Sequence, residues 1–416
     1  MNTPDPTTRD RRAPHRRRVG AAVTAALGFA TVAMLPTAWS SAAPPTTDPP
    51  TAADYGARWL ATQVTADGYV EGPGGDPSPA ATLAVAIGLA SAGVEGDVFA
   101  DSMGWMEANV STVIQTAGVD DPGRIGQLLL LVQAAEANPR AFGGVDLVSR
   151  LEATIGDFAP GLYGAADPSY DGAYRQSVAL MGLLSAGGTY PAEAIDWLLD
   201  QQCDSGPASA IGAWMAYRAD TSVDCPAPNP DTYTGPDTNQ TALAVQALEA
   251  WEVNVANDPA GFFADAQSSD GGFAYYPGQS SDPNSTALVI QALVALGSNP
   301  QTDWDVPGGD PLTSLLSWQL GCDEDSADRG AFASPYSDGF PDLLATEQAV
   351  PAAALRTFPL GEVSFVEGPV PCAPATSTTT VTGVTATSAP ASTSSVASTS
   401  TTAATRAATA TPAFTG

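Results

Sequence analysis

Residues Pro236–Leu248 read "PDTNQTALAVQAL", and Ser281–Leu293 repeat the frame as "SDPNSTALVIQAL" with different polar letters. In both, an aspartate (Asp237, Asp282) stands four residues before a threonine (Thr241, Thr286), and an almost unbroken apolar run follows. Asp282-Pro283 is a helix-start signal, because an acidic N-cap accepts hydrogen bonds from first-turn N–H groups and proline at the first helical position sacrifices no intrahelical donor. The following run has no polar stripe, which predicts a helix buried on most sides. The glycine in "QALVALGSNP" marks its end.

Working outward, the frame returns four more times. Asp342 precedes Thr346 and "EQAVPAA", Asp171 precedes Arg175 and "QSVALMGLL", Asp120 precedes Arg124 and "IGQLLLLVQAA", and a degraded copy lies around Asp76 in "GGDPSPAATLAVAIGLASAG". These six units start 44 to 66 residues apart, the kind of internal period that signals a repeat architecture. Between them lie more amphipathic segments, such as "YGARWLATQV", "LVSRLEATIG" and "PAEAIDWLLDQQ", whose apolar residues fall three or four apart and suit an outer layer with one wet face. The pattern predicts an all-α fold, an α/α toroid of about six inner and six outer helices spanning residues 51–372, after a short linker at 44–50. Strand signals are confined to "GEVSFVEG" near Val363.

Composition removes whole classes of chemistry. The 416-residue chain carries a formal net charge of −30, its 15 basic residues are all arginine, and its one histidine is His15. Residues 1–43 read as a signal peptide: arginine-rich Arg9 to Arg18, apolar Val19 to Leu35, then Ser41-Ala42-Ala43. Ordinary export is the expectation, and the twin-arginine route is the alternative, since "RRRVGAA" resembles such a signal but lacks the hydrophobic residues expected right after the arginine pair. Cleavage near Ala43 leaves a chain without histidine or lysine. Such a chain cannot build a Ser-His-Asp or Cys-His centre or a lysine Schiff base, and it lacks zinc's usual nitrogen ligand. Its negative field disfavours nucleic acid and anionic membranes. The expectation is therefore no metal, no cofactor, no transmembrane helix after processing, and a monomer. The acidic loop "DEDSADRG" spaces Asp323, Asp325 and Asp328 loosely like a calcium loop but lacks its glycine and terminal glutamate, and reads as solvated.

Four cysteines in an exported chain favour two disulfides. Three connectivities are open, and Cys203 with Cys225 and Cys322 with Cys372 is preferred because each pair brackets a polar, proline-containing excursion. Residues 373–416 form a Ser/Thr/Ala-rich tail with too few large apolar residues for a core, expected to be disordered and O-glycosylated. Its end, "PAFTG", is similar to a sortase signal but lacks that signal's first two letters, hydrophobic tail and basic stop. Secretion is expected, with cell-wall association left open.

The repeats resemble those of the squalene/hopene cyclase and protein prenyltransferase superfamily. The resemblance is carried by "SSDGGFAYYPGQSSDPNSTALVIQAL" (Ser268 to Leu293), "GPDTNQTALAVQAL" (Gly235 to Leu248), "ADGYVEGPGGDPSPAATLAVA" (Ala66 to Ala86) and the Trp-Gln order in "LLSWQLGC" (Leu315 to Cys322). It implies the toroid and leaves activity open, since enzymes, vitamin-B12 carriers and thioester domains share that architecture. Cyclases of this kind carry D-x-D-D-T-A, whose second aspartate protonates an alkene or epoxide. Here the equivalent positions hold Asn239 and Gln240 in one copy, and Asn284 takes the acid position in the other. An amide has no proton of comparable acidity to give. The prenyltransferase site implies an Asp/Cys/His zinc centre, and the thioester a G-C-G-E-Q stretch; neither is present.

The ligand-binding candidates follow from this frame. Asp237 and Asp282 are either ligand-facing or helix caps, and Asn239, Gln240 and Asn284 lie in first helical turns where N–H groups are unpaired. Arg124 and Arg175, at matching positions, either clamp an anion or pair with nearby acids. Tyr275, Tyr276 and Trp214 are aromatics suited to lining a pocket. The leading expectation is a secreted or cell-surface, non-catalytic toroid binding a small apolar or amphipathic ligand or a surface partner, with an aromatic cavity lacking a buried acid. The alternatives are an enzyme of the cyclase/prenyltransferase-like class or a glycan-active toroid, and a structural head on a glycosylated stalk whose interior is filled by its own side chains.

Overall fold

In the computed structural model, residues 46–372 are described. The expected signal peptide and the Ser/Thr-rich tail lie outside them. The described chain is mostly helical: α1 (Pro49–Ala61), α2 (Pro79–Ala92), α3 (Gly96–Ala108), α4 (Val110–Val113), α5 (Pro122–Ala134), α6 (Leu147–Glu152), α7 (Gly172–Ser185), α8 (Ala192–Asp200), α9 (Thr238–Ala250), α10 (Ala260–Ala266), α11 (Pro283–Ala295), α12 (Pro311–Leu316) and α13 (Leu343–Ala353). No described helix is long and apolar enough to cross a membrane.

The frame aspartates begin helices for the reason their position predicts. The side chains of Asp237, Asp282 and Asp342 each accept a first-turn N–H, as does Asp310 at α12. Three copies depart from the expected register. The cap of α5 is Asp121, while Asp120 pairs with Arg150. Ser78 rather than Asp76 caps α2, and Asp171 gives no cap bond but faces Arg175 at 3.4 Å.

Six helices form the buried set: α2, α5, α7, α9, α11 and α13. Each packs on the next, and α13 packs back on α2. The shorter or more amphipathic helices lie against them, α1 on α2 and α13, α6 on α5 and α7, α8 on α7, α10 on α9, and α12 on α11 and α13. Cross-links join starts to starts and ends to ends. Gln240 near the start of α9 accepts from Tyr174 N near the start of α7, whereas Trp251 beyond the end of α9 donates to Leu180 O. Asn284 in α11 donates to Gln348 in α13, and Gln291, two turns later, donates to Arg356 O just past α13. Between α5 and α7 the backbones nearly touch: a Cβ on Gly126 would lie 2.5 Å from Val178 O, and one on Gly182 2.4 Å from Gly126 O.

Two polar devices recur from unit to unit. The frame threonine is a clamp, its Oγ1 accepting the N–H of a buried residue in the preceding turn: Thr82 from Val70, Thr241 from Trp214, Thr286 from Phe273 and Thr346 from Phe332. The glutamine after each of three outer helices is a bridge, its Nε2 donating both to a turn glycine of its own unit and to a carbonyl of the next. Gln202 reaches Gly212 and Asn257, Gln267 reaches Gly271 and Trp304, and Gln319 reaches Gly330 and Ala52. The last of these joins the final unit to the first across 267 residues of sequence. Such buried bonds cost little to keep and about 1–3 kcal/mol to break one-sidedly.

Disulfides join Cys203 to Cys225 and Cys322 to Cys372, the expected pairing, and no described cysteine is free. The "GEVSFVEG" segment does not become a strand. Val366 makes a single parallel bridge to Val94. Among the described residues the sheet is a hairpin of two two-residue strands, β1 (Gln115–Thr116) with β2 (Val119–Asp120), whose turn sequence carried no recognised strand period.

Candidate functional site: a rim and a well

The predicted residues lie at the starts of α5, α7, α9 and α11 and in the loops before them, but most of them are occupied by the fold. Asp237 is 3% exposed. One carboxylate oxygen accepts from Asn239 N at 3.0 Å and Gln240 N at 2.9 Å, and the Tyr275 hydroxyl hydrogen-bonds the same carboxylate. Burial pushes its pKa up to about 7, against the pull of those donors. Asp282 accepts from Ser285 N at 2.8 Å, and burial raises it too.

The amides serve neighbours in the same way. Gln240 accepts from Tyr174 N at 2.6 Å and donates to Tyr170 O at 3.0 Å, sewing the start of α9 to that of α7. Asn284 donates to Gln348 at 3.0 Å. Asn239 differs, since its Oδ1 is buried without a protein donor.

Arg124 and Arg175 do not present free forks to a shared ligand. Arg124 donates to Gln115 O at 2.7 Å and lies 3.8 Å from Asp121. Arg175 pairs with Asp171 and donates to Ala166 O at 3.2 Å, its Nε remaining unpaired. Trp214 is a core residue, fully buried with Nε1 donating to Leu198 O at 2.8 Å.

Tyr275 and Tyr276 do come together, edge to face at 4.7 Å, and Tyr233 follows 6.3 Å from Tyr276. Tyr276 is buried, but the loops before α7, α9 and α13 and the first turn of α13 hold large apolar side chains in solvent: Tyr170 is 90% exposed, Tyr336 88%, and Tyr233, Phe340 and Leu344 are also exposed. Tyr336 lies within electrostatic reach of Asp282 and Tyr233. Tyr233, Tyr275, Tyr276 and Tyr336 thus lie together by the starts of α9 and α11, where Gln240 also reaches the Tyr170 carbonyl, and this group is called the rim.

A narrow well of about 80 Å³ is lined by residues from all six buried helices. Its polar lining is Gln127, Tyr174, Gln291, Glu347 and Gln348, and Leu130, Met181, Leu243 and Leu288 are among its apolar walls. Glu347 was not anticipated. Its Oε2 is fully shielded and meets no protein donor, and burial, followed by the charge of Asp342, pushes its pKa up to about 8. Tyr174 is pushed up to about 12, chiefly by burial and then by Glu347. The signal was in the frame: five residues after the capping aspartate, where α9 and α11 have Ala242 and Ala287, α13 has a glutamate. A carboxylate in an otherwise apolar run is the kind of residue that a search limited to the D-x-D-D positions passes over. The expectation of a cavity without a buried acid thus meets a small cavity lined by a half-buried glutamate whose Oε2 is fully shielded.

Among the described residues no cluster of three or more His, Cys, Asp or Glu is placed to hold a metal ion, and the Asp323 to Gly330 loop instead closes on itself through Asp328 N to Asp325 O.

No family model matches the chain. No curated protein matches it. Among solved structures, a crystal structure of a protein from Actinoplanes is similar at 16% identity with a TM-score of 0.44, over 74% of this chain and 98% of that one.

Proposed function

We propose that the chain is an exported α/α toroid of the cyclase/prenyltransferase-like repeat type that works by binding, engaging a surface partner through the rim where its inner helices begin. The cyclic neighbour order from α2 through α13 and the Gln319 bridge to Ala52 support the closed ring. The two disulfides suit an oxidising compartment. One observation carries the functional reading: the well among the six buried helices holds about 80 Å³, against about 300–1,000 Å³ for a small-molecule pocket, whereas large apolar side chains stand exposed on the rim. Of the sequence expectations, a surface partner accounts for this better than a ligand held inside.

The test is retention of the fluorescently labelled chain on cells of its own host. The reading predicts that a Tyr170→Ala/Tyr233→Ala/Tyr336→Ala variant loses about tenfold or more in retention, with an unchanged circular dichroism spectrum. Wild-type protein that does not adhere, or a triple variant that adheres equally, would overturn it.

A second reading, an enzyme using an acid outside the D-x-D-D positions, is favoured by Glu347 alone. It requires a substrate seated against that carboxyl, so turnover of any compound by wild type and not by Glu347→Gln would replace the binding reading.

A further inference from the structure

Glu347 presents, in the wall of a cavity, a carboxyl with one oxygen that the protein leaves without a donor. Its shielded Oε2 meets no protein donor. The titratable groups that bear on it are Asp342 of its own helix and Tyr174 of α7. The other walls supply amides, Gln127 from α5 and Gln291 from α11, and hydrocarbon, Ala84 from α2 and Leu243 from α9. No arginine lines the well.

Pro351 lies inside α13 four residues on and has no N–H to give the Glu347 carbonyl. A shielded acceptor lacking a protein donor, with no arginine in the lining, matches a ligand that brings N–H donors and a positive charge. The volume excludes anything drug-sized, and Leu130, Met181 and Leu288 offer a surface for a short alkyl group.

We propose that the six-helix well binds the ammonium head of a small primary amine, with Glu347 as counter-charge and the Gln127 amide oxygen as a further acceptor. The inference is independent of the rim. Binding ionises the carboxyl: Glu347-COOH and R-NH₃⁺ become the carboxylate–ammonium pair, and one proton leaves to solvent. Because burial holds that proton to about pH 8, affinity rises about tenfold per pH unit below that value and levels off above it.

The experiment is isothermal titration of the full chain with methylammonium and propylammonium at several pH values, with tetramethylammonium and potassium as probes at equal ionic strength. The expected result is one saturable site for both primary amines, with proton release on binding at neutral pH. Glu347→Gln should lose the site. Leu243→Phe, which fills the well and leaves Glu347 in place, should lose it too, so the test survives if either variant fails to fold. The proposal is overturned if neither amine binds saturably, if Glu347→Gln binds like wild type, if tetramethylammonium competes equally, or if potassium binds as tightly as methylammonium and marks a monovalent-metal site.

Discussion

The start of α9 and the start of α13 each shield carboxyl oxygen from solvent, and the two differ in what surrounds it. Asp237 has two backbone N–H groups and a tyrosine hydroxyl. Glu347, five residues beyond the equivalent Asp342, has a shielded oxygen with no protein donor and a cavity in front of it. Burial raises both above the usual carboxylate range, to about 7 and about 8. A raised pKa alone therefore does not separate a structural acid from an available one; the donor inventory does.

The sharpest way to break this contrast is to remove each acid. Asp237→Ala deletes a helix cap and leaves the Tyr275 hydroxyl without its partner, and should cost about 3 kcal/mol in chemical denaturation, whereas Asp237→Asn, which can still cap, should cost about 1 kcal/mol. Glu347→Gln should not destabilise the chain near neutral pH, and above about pH 8 it should be the more stable form, since no buried charge has to be made. A loss at Glu347 as large as that at Asp237 would make the two acids equivalent.

The second prediction sharpens the contrast through pH. Asp237, Asp282 and Glu347 all have folded pKa values above their ordinary ones. Between the unfolded and folded values the folded state holds more protons, so this stability is fully present below about pH 4 and is lost as pH rises through about 7 to 8. Asp120, held down by Arg150 against the opposing effect of burial, works in the other direction and loses its contribution only in acid. Stability measured by urea midpoint should fall by a few kcal/mol from about pH 5 to about pH 8.5, and Glu347→Gln should flatten part of that slope.

Smaller still is the threonine clamp. Thr241→Val keeps the shape but leaves the buried Trp214 N–H unpaired, at about 2 kcal/mol, and Thr346→Val should match it through Phe332. At the bottom of the scale, Tyr170→Ala, Tyr233→Ala and Tyr336→Ala should each shift stability by no more than about 0.5 kcal/mol, because these side chains are exposed.

The helical architecture was legible because its signals are local. An aspartate before a proline, a threonine four residues on and an unbroken apolar run each dictate a helix start or a buried face without reference to distant residues. The disulfide pairing was legible from the excursions it brackets. Register was harder: Asp120 and Asp121 are adjacent, and only the distant partner Arg150 decides which of them caps α5. The site was least legible. Arg124 and Arg175 look like a matched pair until the loop carbonyls that occupy them are in place, and Trp214 looks like a lining residue until the core closes over it. Glu347 gains its meaning only when six helices from distant parts of the chain meet around it.

The measurement that bears most directly on the account is a carboxyl-carbon NMR titration of the chain labelled at glutamate, with the Glu347 signal assigned by its disappearance in Glu347→Gln. The account predicts a midpoint near 8 that moves down when methylammonium is added. A midpoint in the ordinary glutamate range near 4.5, unmoved by the amine, would contradict it.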